Sequence, residues 1–404
     1  MSIRCNSVTD SFRMAYYCVA KIVFFSDFWL SRCEALRRYV KFITFVHNIY
    51  PFMMTTCESI HLLKQMLSIP SLSRNEESKA SFLQAYLQQM GCEKVNRVGN
   101  NVYTYAYEYD AKKPTILLNS HIDTVKPNEN WTYAPFQATQ VGDSIYGLGA
   151  NDAHASVVSL IAAFDYLRST RQTYNLILGI SCEEEVSGKN GVECMLQSLP
   201  AIDLAIVGEP TGLEMAVAER GLMVVDCVAQ GKAGHAARNE GINAIYRAVT
   251  DIDWCRNYEF PKVSQELGPV KMTVTIIEAG SLHNVVPDTC KFTIDVRLTE
   301  CYTHQEVLDI MQENMQSELK PRSMRLCASG IDKGHPIVAR HLSMKRGVFG
   351  SATMSDQALM PFPSVKVGPG DSARSHTADE YITTQEIEQA ITYYIRLLDG
   401  LTLK

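Results

Sequence analysis

Three apolar stretches that each run straight into ionisable side chains constrain this chain more than any other feature. Ile116-Leu117-Leu118 opens a run that ends in His121-Ile122-Asp123. Asn175 to Ser181 runs into Glu183-Glu184-Glu185, and Leu204 to Gly208 runs into Glu209-Pro210-Thr211. Continuous apolar runs of this length read as strands buried on both faces, as in a parallel sheet covered by helices. In an open α/β sheet, ligands gather at the carboxyl ends of such strands. A single His-x-Asp carries little weight, since a satisfied structural histidine reads equally well. Adjacent glutamates repel one another unless a cation or solvent relieves them, so a solvated loop is the plain alternative there. Three strands delivering His121, Glu185 and Glu209 to one sheet edge make a coincidence of unrelated loops a poor explanation.

The remaining segments fit an α/β chain with an insertion. Helices over 57–69 and 79–90 are packing elements, and a strand covers 102–107. Gly147-Leu148-Gly149-Ala150-Asn151-Asp152 permits a tight turn before a helix marked by Val157, Leu160, Ile161, Phe164 and Leu167. Asp152 thus falls at a helix N-terminus, where capping is the plain reading. From about Leu213 the order becomes β-α-β-β-α-β, with strands over 222–229, 270–278, 290–298 and 322–328 and helices over 241–255 and 304–315. Phe292, Ile294, Val296 and Leu298 share one face of a strand, whereas Lys291, Thr293, Asp295 and Arg297 share the other, leaving a polar face for a ligand or second subunit. An α/β segment resumes near Gly334 and carries Ser355-Asp356, Gly368-Pro369-Gly370 and His376-Thr377-Ala378-Asp379-Glu380-Tyr381. The expected organisation is an extension over 1–53, a catalytic domain over 54–213 and 333–404, and an inserted domain over 214–332.

Composition narrows the function classes. A chain of 404 residues with 46% hydrophobic and 20% charged content is an ordinary globular protein. A formal net charge of -6 gives no electrostatic reason for a nucleic-acid partner, so a small-molecule substrate is expected. The 12 cysteines lack CxxC pairs or regular spacing, which points to free thiols in a reducing, cytoplasmic setting. The first 52 residues are rich in aromatics and cysteine, yet Lys21 and Asp27 interrupt the apolar run before it spans a bilayer. They read as upstream sequence ahead of a start at Met53 or Met54, with a membrane-associating extension as the alternative.

The strand-end candidates combine histidines with carboxylates and no cysteine. Such a set suits zinc, cobalt or manganese, and a carboxylate can bridge two ions. Metal-assisted hydrolysis also needs a carboxylate that is not a ligand, to act as general base, and Glu184 beside Glu185 meets that need.

These residues resemble a known family, the di-zinc exopeptidases and deacylases that include acetylornithine deacetylase, succinyl-diaminopimelate desuccinylase and aminoacylase. The resemblance runs from about Met54 to Lys404. It rests on Ser120-His121-Ile122-Asp123, Gly147-x-Gly-x-x-Asp152, Glu183-Glu184-Glu185, Gly208-Glu209-Pro210-Thr211, Gly231-Lys232-Ala233-Gly234-His235-Ala236, Asn284-Val285-Val286-Pro287-Asp288 and His376-Thr377. It implies a zinc-exopeptidase-like domain with a central mixed sheet and an inserted, ferredoxin-like lid and dimerisation domain. It further implies two zinc ions per chain, replaceable by cobalt or manganese, one held by His121, Asp152 and Glu209 and the other by Asp152, Glu185 and His376.

In the same scheme Asp123 fixes the His121 tautomer and Glu184 is the general base. His235 reaches the active site of a second subunit, implying a homodimer; a surface histidine is the alternative. Asn284 and Arg297 are candidates for the substrate carboxylate, although Arg297 could pair with Asp295 or Glu300 instead. Gly368 and Gly370 could offer backbone N–H groups to that carboxylate or form a plain turn. His154 departs from the lysine or glycine usual two residues after the bridging aspartate, and either touches the site or covers the helix start. The expectation is an N-acyl amino acid deacylase of the acetylornithine or succinylornithine branch, acting in arginine biosynthesis. A desuccinylase, a dipeptidase or carboxypeptidase of the same fold, and a silent dimeric binding protein are the alternatives.

Overall fold

Helices α1 (Thr56–Leu67) and α2 (Glu77–Gln89) lead into a mixed sheet in the computed structural model, which describes residues 54–403 other than Asn239. The extension expected over 1–53 lies outside the described residues. Thr55 starts α1 with a capping box, its side chain accepting from the Glu58 amide while Glu58 accepts from the Thr55 amide. The hairpin of β1 (Val95–Val98) and β2 (Asn101–Tyr105) is followed by β3 (Thr115–His121). Next come β4 (Thr139–Val141), β5 (Ser144–Tyr146), α3 (Ala155–Ser169), β6 (Asn175–Ser181), α4 (Val192–Leu196), β7 (Leu204–Val207) and β8 (Met215–Glu219).

All seven residues of β3 are buried. Ile116 and Leu118 join a core beneath helices, while Leu117 packs with Ile177, Met195, Ala205 and Val207 on the opposite face. Two covered faces explain the unbroken apolar run in the sequence.

The insertion then folds as β9 (Gly221–Gln230), β10 (Gly234–His235), α5 (Ala244–Asn257), β11 (Lys271–Ala279), β12 (Val285–Val286), β13 (Thr289–Leu298), α6 (His304–Asn314) and β14 (Glu318–Pro321). Its antiparallel sheet has the order β11-β13-β9-β14, the split arrangement read from the sequence. Val225, Phe292, Ile294 and Val296 form its core with Ala248 of α5 and Met311 of α6. One expectation is corrected. The last strand is Glu318–Pro321 and not 322–328: beyond it the ladder with β9 breaks down to an isolated bridge between Leu222 and Leu326, and by Cys327 the amide already donates to Ala358 O at 2.8 Å.

The return segment supplies β15 (Ser329–Gly330), α7 (Pro336–Ser343), β16 (Val348–Ser351), β17 (Ser364–Lys366), β18 (Tyr381–Thr383) and α8 (Thr384–Leu398). The main sheet runs β1-β2-β6-β3-β7-β17-β8-β15, with β16 joining β8. Its central strands β6, β3, β7 and β17 are parallel, so their carboxyl ends share one edge. Among the described residues no helix is long and apolar enough to cross a membrane.

Candidate active site

That shared edge gathers the ionisable side chains. His121, 1% exposed, ends β3 and turns Nε2 toward Asp152 Oδ1 at 3.2 Å, Glu209 Oε1 at 3.6 Å and Glu184 Oε2 at 3.8 Å. His376, from the loop before β18, places Nε2 at 2.9 Å from Glu185 Oε2 and 3.7 Å from Asp152 Oδ2. Asp152 therefore presents one oxygen to each histidine. Ligand atoms of His121, Asp152 and Glu185 all lie within 4.8 Å of one another.

The donor set fits divalent ions. Donors on a tetrahedral zinc, each about 2.0–2.1 Å from the ion, stand roughly 3.3 Å apart, close to the His121–Asp152 and His121–Glu209 separations. Glu209 Oε1 is also buried without a hydrogen-bond partner, an arrangement that is costly unless a cation takes the oxygen. Burial raises the Glu184 carboxyl well above the usual range, and neighbouring Glu209, Asp356 and Glu185 add to the rise against the pull of His121. Burial and Asp152 raise Glu209 likewise. Burial works to lower the His121 imidazole, but Glu184, Asp123, Asp152 and Glu209 hold it well above its ordinary value. The cluster is thus hungry for positive charge, which protons supply until a metal displaces them.

Asp123 does more than was expected of it. The nearest acceptor to His121 Nδ1 is the Asp123 backbone carbonyl at 3.0 Å, with the carboxylate Oδ1 following at 3.5 Å. The carboxylate itself accepts from the amides of Glu184 at 3.0 Å and Glu185 at 3.1 Å and from Ser73 Oγ at 2.8 Å. One buried side chain fastens the end of β3 to the loop after β6.

Asp152 is not a helix cap. Helix α3 begins at Ala155, and Asp152 has extended backbone (φ −122°, ψ 94°) within an irregular turn. Glu380 holds this turn by accepting from the amides of Gly149 at 2.9 Å, Asn151 at 2.7 Å and Asp152 at 2.8 Å. Gly149 has φ +84°, and a Cβ there would meet His154 Cε1 at 2.5 Å, so glycine is required. Nothing in the local sequence pattern of Glu380 reveals a carboxylate folded back on amides 228 to 231 positions away. His154 lies buried beneath the turn, its Nε2 3.0 Å from Ile122 O and 3.0 Å from Lys79 Nζ.

A cavity of about 370 Å³ opens over the cluster and is lined by Asp152, Glu184, Glu185, Glu209, Lys366 and His376 among others. No described residue of the insertion lines it. His235 is exposed on β10, which pairs with β12, and the Ala236 amide donates to Asn284 O at 3.0 Å, so His235 and Asn284 are neighbours away from the cavity. Arg297 takes the pairing that stood as its alternative, its guanidinium forking onto Asp295 at 2.8 and 3.1 Å. Gly368 N–H donates to Thr211 Oγ1 at 3.1 Å, and a Cβ on Gly370 would collide with Asn151 Oδ1, so the Gly368–Gly370 segment has the packing of a plain turn.

Comparison with known proteins identifies the class. Residues 117–400 match the profile described as Peptidase family M20/M25/M40, and the chain belongs to that family, which makes it a metal-dependent hydrolase of amide bonds. It is 28% identical over 355 residues to a Peptidase M20 domain-containing protein of Schizosaccharomyces pombe, covering 84% of each chain. It is 24% identical over 374 residues to succinyl-diaminopimelate desuccinylase 2 of Ruegeria sp., covering 84% of this chain and 94% of that one. In fold it is similar to the Bacillus subtilis YXEP protein, described as a dinuclear metal-binding peptidase, with TM-score 0.65, 16% identity and coverage of 85% and 97%.

Proposed function

We propose that this chain hydrolyses the amide of an N-acyl amino acid, with His121, Asp152 and Glu209 holding one zinc-like ion and Asp152, Glu185 and His376 a second. Cobalt or manganese would serve the same donors. The observation that carries the reading is the placement of Asp152 between the two histidines, with Glu184 beside them and free of both imidazole contacts shorter than 3.8 Å. When bound, the ions supply Lewis-acid polarisation of the carbonyl and a lower pKa for water. Glu184, whose burial strengthens its hold on a proton, takes a proton from the attacking water and returns it to the departing amine. Asp123 keeps Glu184, Glu185 and His121 in mutual register.

A homodimer completes the site in this reading, with His235 of a second copy donating to the developing oxyanion. Support comes from β11, an edge strand of the inserted sheet that exposes Ile276 and Ile277, features that favour pairing with another chain. Free thiols at every cysteine among the described residues support a cytoplasmic location. The sequence resemblance favours an ornithine-like amine in arginine biosynthesis. The desuccinylase name of a relative favours N-succinyl-diaminopimelate as a second reading.

The test is a panel of N-acetylornithine, N-succinyl-diaminopimelate and a dipeptide with zinc-loaded protein, repeated with Glu184→Gln. The variant should keep its metal and lose about 10²–10⁴-fold in kcat, the usual share of a general base. A variant that stays active would remove Glu184 from its role.

A further inference from the structure

One face of the main sheet steps from apolar to ionisable side chains within three rungs. Leu117, Ile177 and Ala205 pack together on the lowest, Asn119, Gly179 and Val207 stand side by side on the next, and His121 is level with Ser181 on the last. Alternate residues of a strand share a face, and paired residues of parallel neighbours face alike, so Asn119 and Ser181 lie on the side to which His121 turns. Into the step between the upper two rungs the return segment inserts Asp356, which opens a short turn (Asp356–Leu359) between β16 and β17.

Asp356 is 3% exposed and does not line the cavity. Its Oδ2 accepts from Ser181 Oγ at 2.6 Å and from Asn119 Nδ2 at 2.7 Å, so one oxygen is fastened to both β3 and β6. These are the strands that deliver His121 and the Glu183–Glu185 loop. Side chains on one face of a strand repeat about every 7 Å, which puts the carboxylate beneath the ligand cluster and not in it. Both of its hydrogen-bond partners are neutral, so nothing bonded to it balances its charge.

That charge reaches the cluster all the same. Asp356 adds to the burial that raises the carboxyls of Glu184 and Glu209, and His121 pulls on Asp356 in turn. Burial raises the Asp356 carboxyl to about 6 against the opposing effects of Ser181, His121 and Asn119, so it is ionised at pH 8. A buried charge of this kind costs stability unless a cation stands near. Two divalent ions on His121, Asp152, Glu185, Glu209 and His376 are such cations, and in a protein interior their attraction extends well beyond contact distance.

We infer that Asp356 is a remote part of the proposed metal centre, a fixed negative charge behind the ends of β3 and β6 that tightens the binding of divalent ions while destabilising the metal-free protein. It is a positioning residue that acts through the cluster and not on substrate. This rests on the metal-dependent reading above and goes beyond its ligand set.

Two measurements at pH 8 test it: zinc affinity by competition with a chelating indicator, and Tm of the metal-free protein. Asp356→Asn removes the charge, and because both hydrogen bonds fall on one oxygen, the amide oxygen can keep them. Zinc affinity should fall about 10–100-fold, while the metal-free Tm stays level or rises. A purely structural residue would lower Tm instead, and a fall in both quantities overturns the inference. Ser181→Ala is the converse variant, since it keeps the charge and removes one bond of the tether. Its zinc affinity should drop by less than about three-fold, well short of that range. Should the amide variant fail to fold, Asp356→Ser removes the same charge with a smaller side chain and is read by affinity. Full affinity in a folded variant lacking the charge, or an equal loss in Ser181→Ala, overturns the inference. An unmodified protein that binds no zinc overturns the metal-centre reading itself, and the inference with it.

Discussion

His376 Nε2 and Glu185 Oε2 meet at 2.9 Å although the two residues are 191 positions apart in the chain. The hydrogen bond to Glu185, with the charges of Glu185, Asp152 and Glu380, raises the imidazole from its ordinary value to about 9 against the opposing effect of burial. A group whose pKa is raised on folding stabilises the fold fully below its unfolded value near 6.5 and loses that contribution as pH climbs through about 9.

For metal-free protein, Tm relative to a His376→Ala variant should therefore be highest near pH 6 and converge with it above pH 9 or so. Zinc must displace the same proton, so apparent affinity should rise with pH across this window by up to about ten-fold per unit, with proton release measurable by calorimetry in buffers of different ionisation heat. An affinity flat between pH 6.5 and 9 would detach His376 from the metal.

Glu380 touches no proposed metal position, yet its carboxylate accepts three amides of the Gly149–Asp152 turn. Burial raises it to about 8 against the pull of those amides. Glu380→Gln replaces one acceptor by an amide donor facing backbone N–H groups. Zinc affinity should fall about 10–100-fold, the usual effect of disturbing a ligand's support, while the protein stays folded. Competition with a chelating indicator gives the affinity, and an unchanged value would show that Asp152 is held by other contacts.

His235 is exposed and stands away from the cavity of its own chain. Mixing His235→Ala with Glu184→Gln, each inactive alone, should restore activity if the histidine acts across a dimer. Random pairing leaves one intact site in half of the dimers, so about a quarter of the original activity is expected for a two-fold assembly. Absence of any recovery after subunit exchange would place His235 outside catalysis.

Much of the main sheet was legible because both-face burial leaves its mark on consecutive residues. Ile116 and Leu118 pack on one side of β3 and Leu117 on the other, so the run had to be apolar throughout, and the change of character at His121 marks the strand end. The same logic located Glu185 and Glu209. The turn holding Asp152 was misread as a helix start, because its conformation depends on Glu380 from a distant segment and not on a local cap. The last inserted strand was misplaced because Glu318–Pro321 is short and half exposed and lacks an apolar run. The buried ion pair of Glu219 Oε2 and Lys366 Nζ, 2.7 Å apart, was invisible for a further reason: it exists only through the adjacency of β8 and β17, and no spacing in the chain encodes sheet order. Arg297 illustrates the opposite limit, since its pairing with Asp295 two residues away was readable and its orientation was not.

The hold of Asp123 on the amides of Glu184 and Glu185 has a bearing on turnover. Separating the base from His121 would break two hydrogen bonds to a buried carboxylate, each worth about 1.5–3 kcal/mol when one partner is charged. The proposed base Glu184 and the proposed ligands His121 and Glu185, one at the end of β3 and one in the loop after β6, are consequently tied to one residue. Substrate can arrive and product depart without these three residues losing their spacing, so that part of the site need not be rebuilt at each turnover.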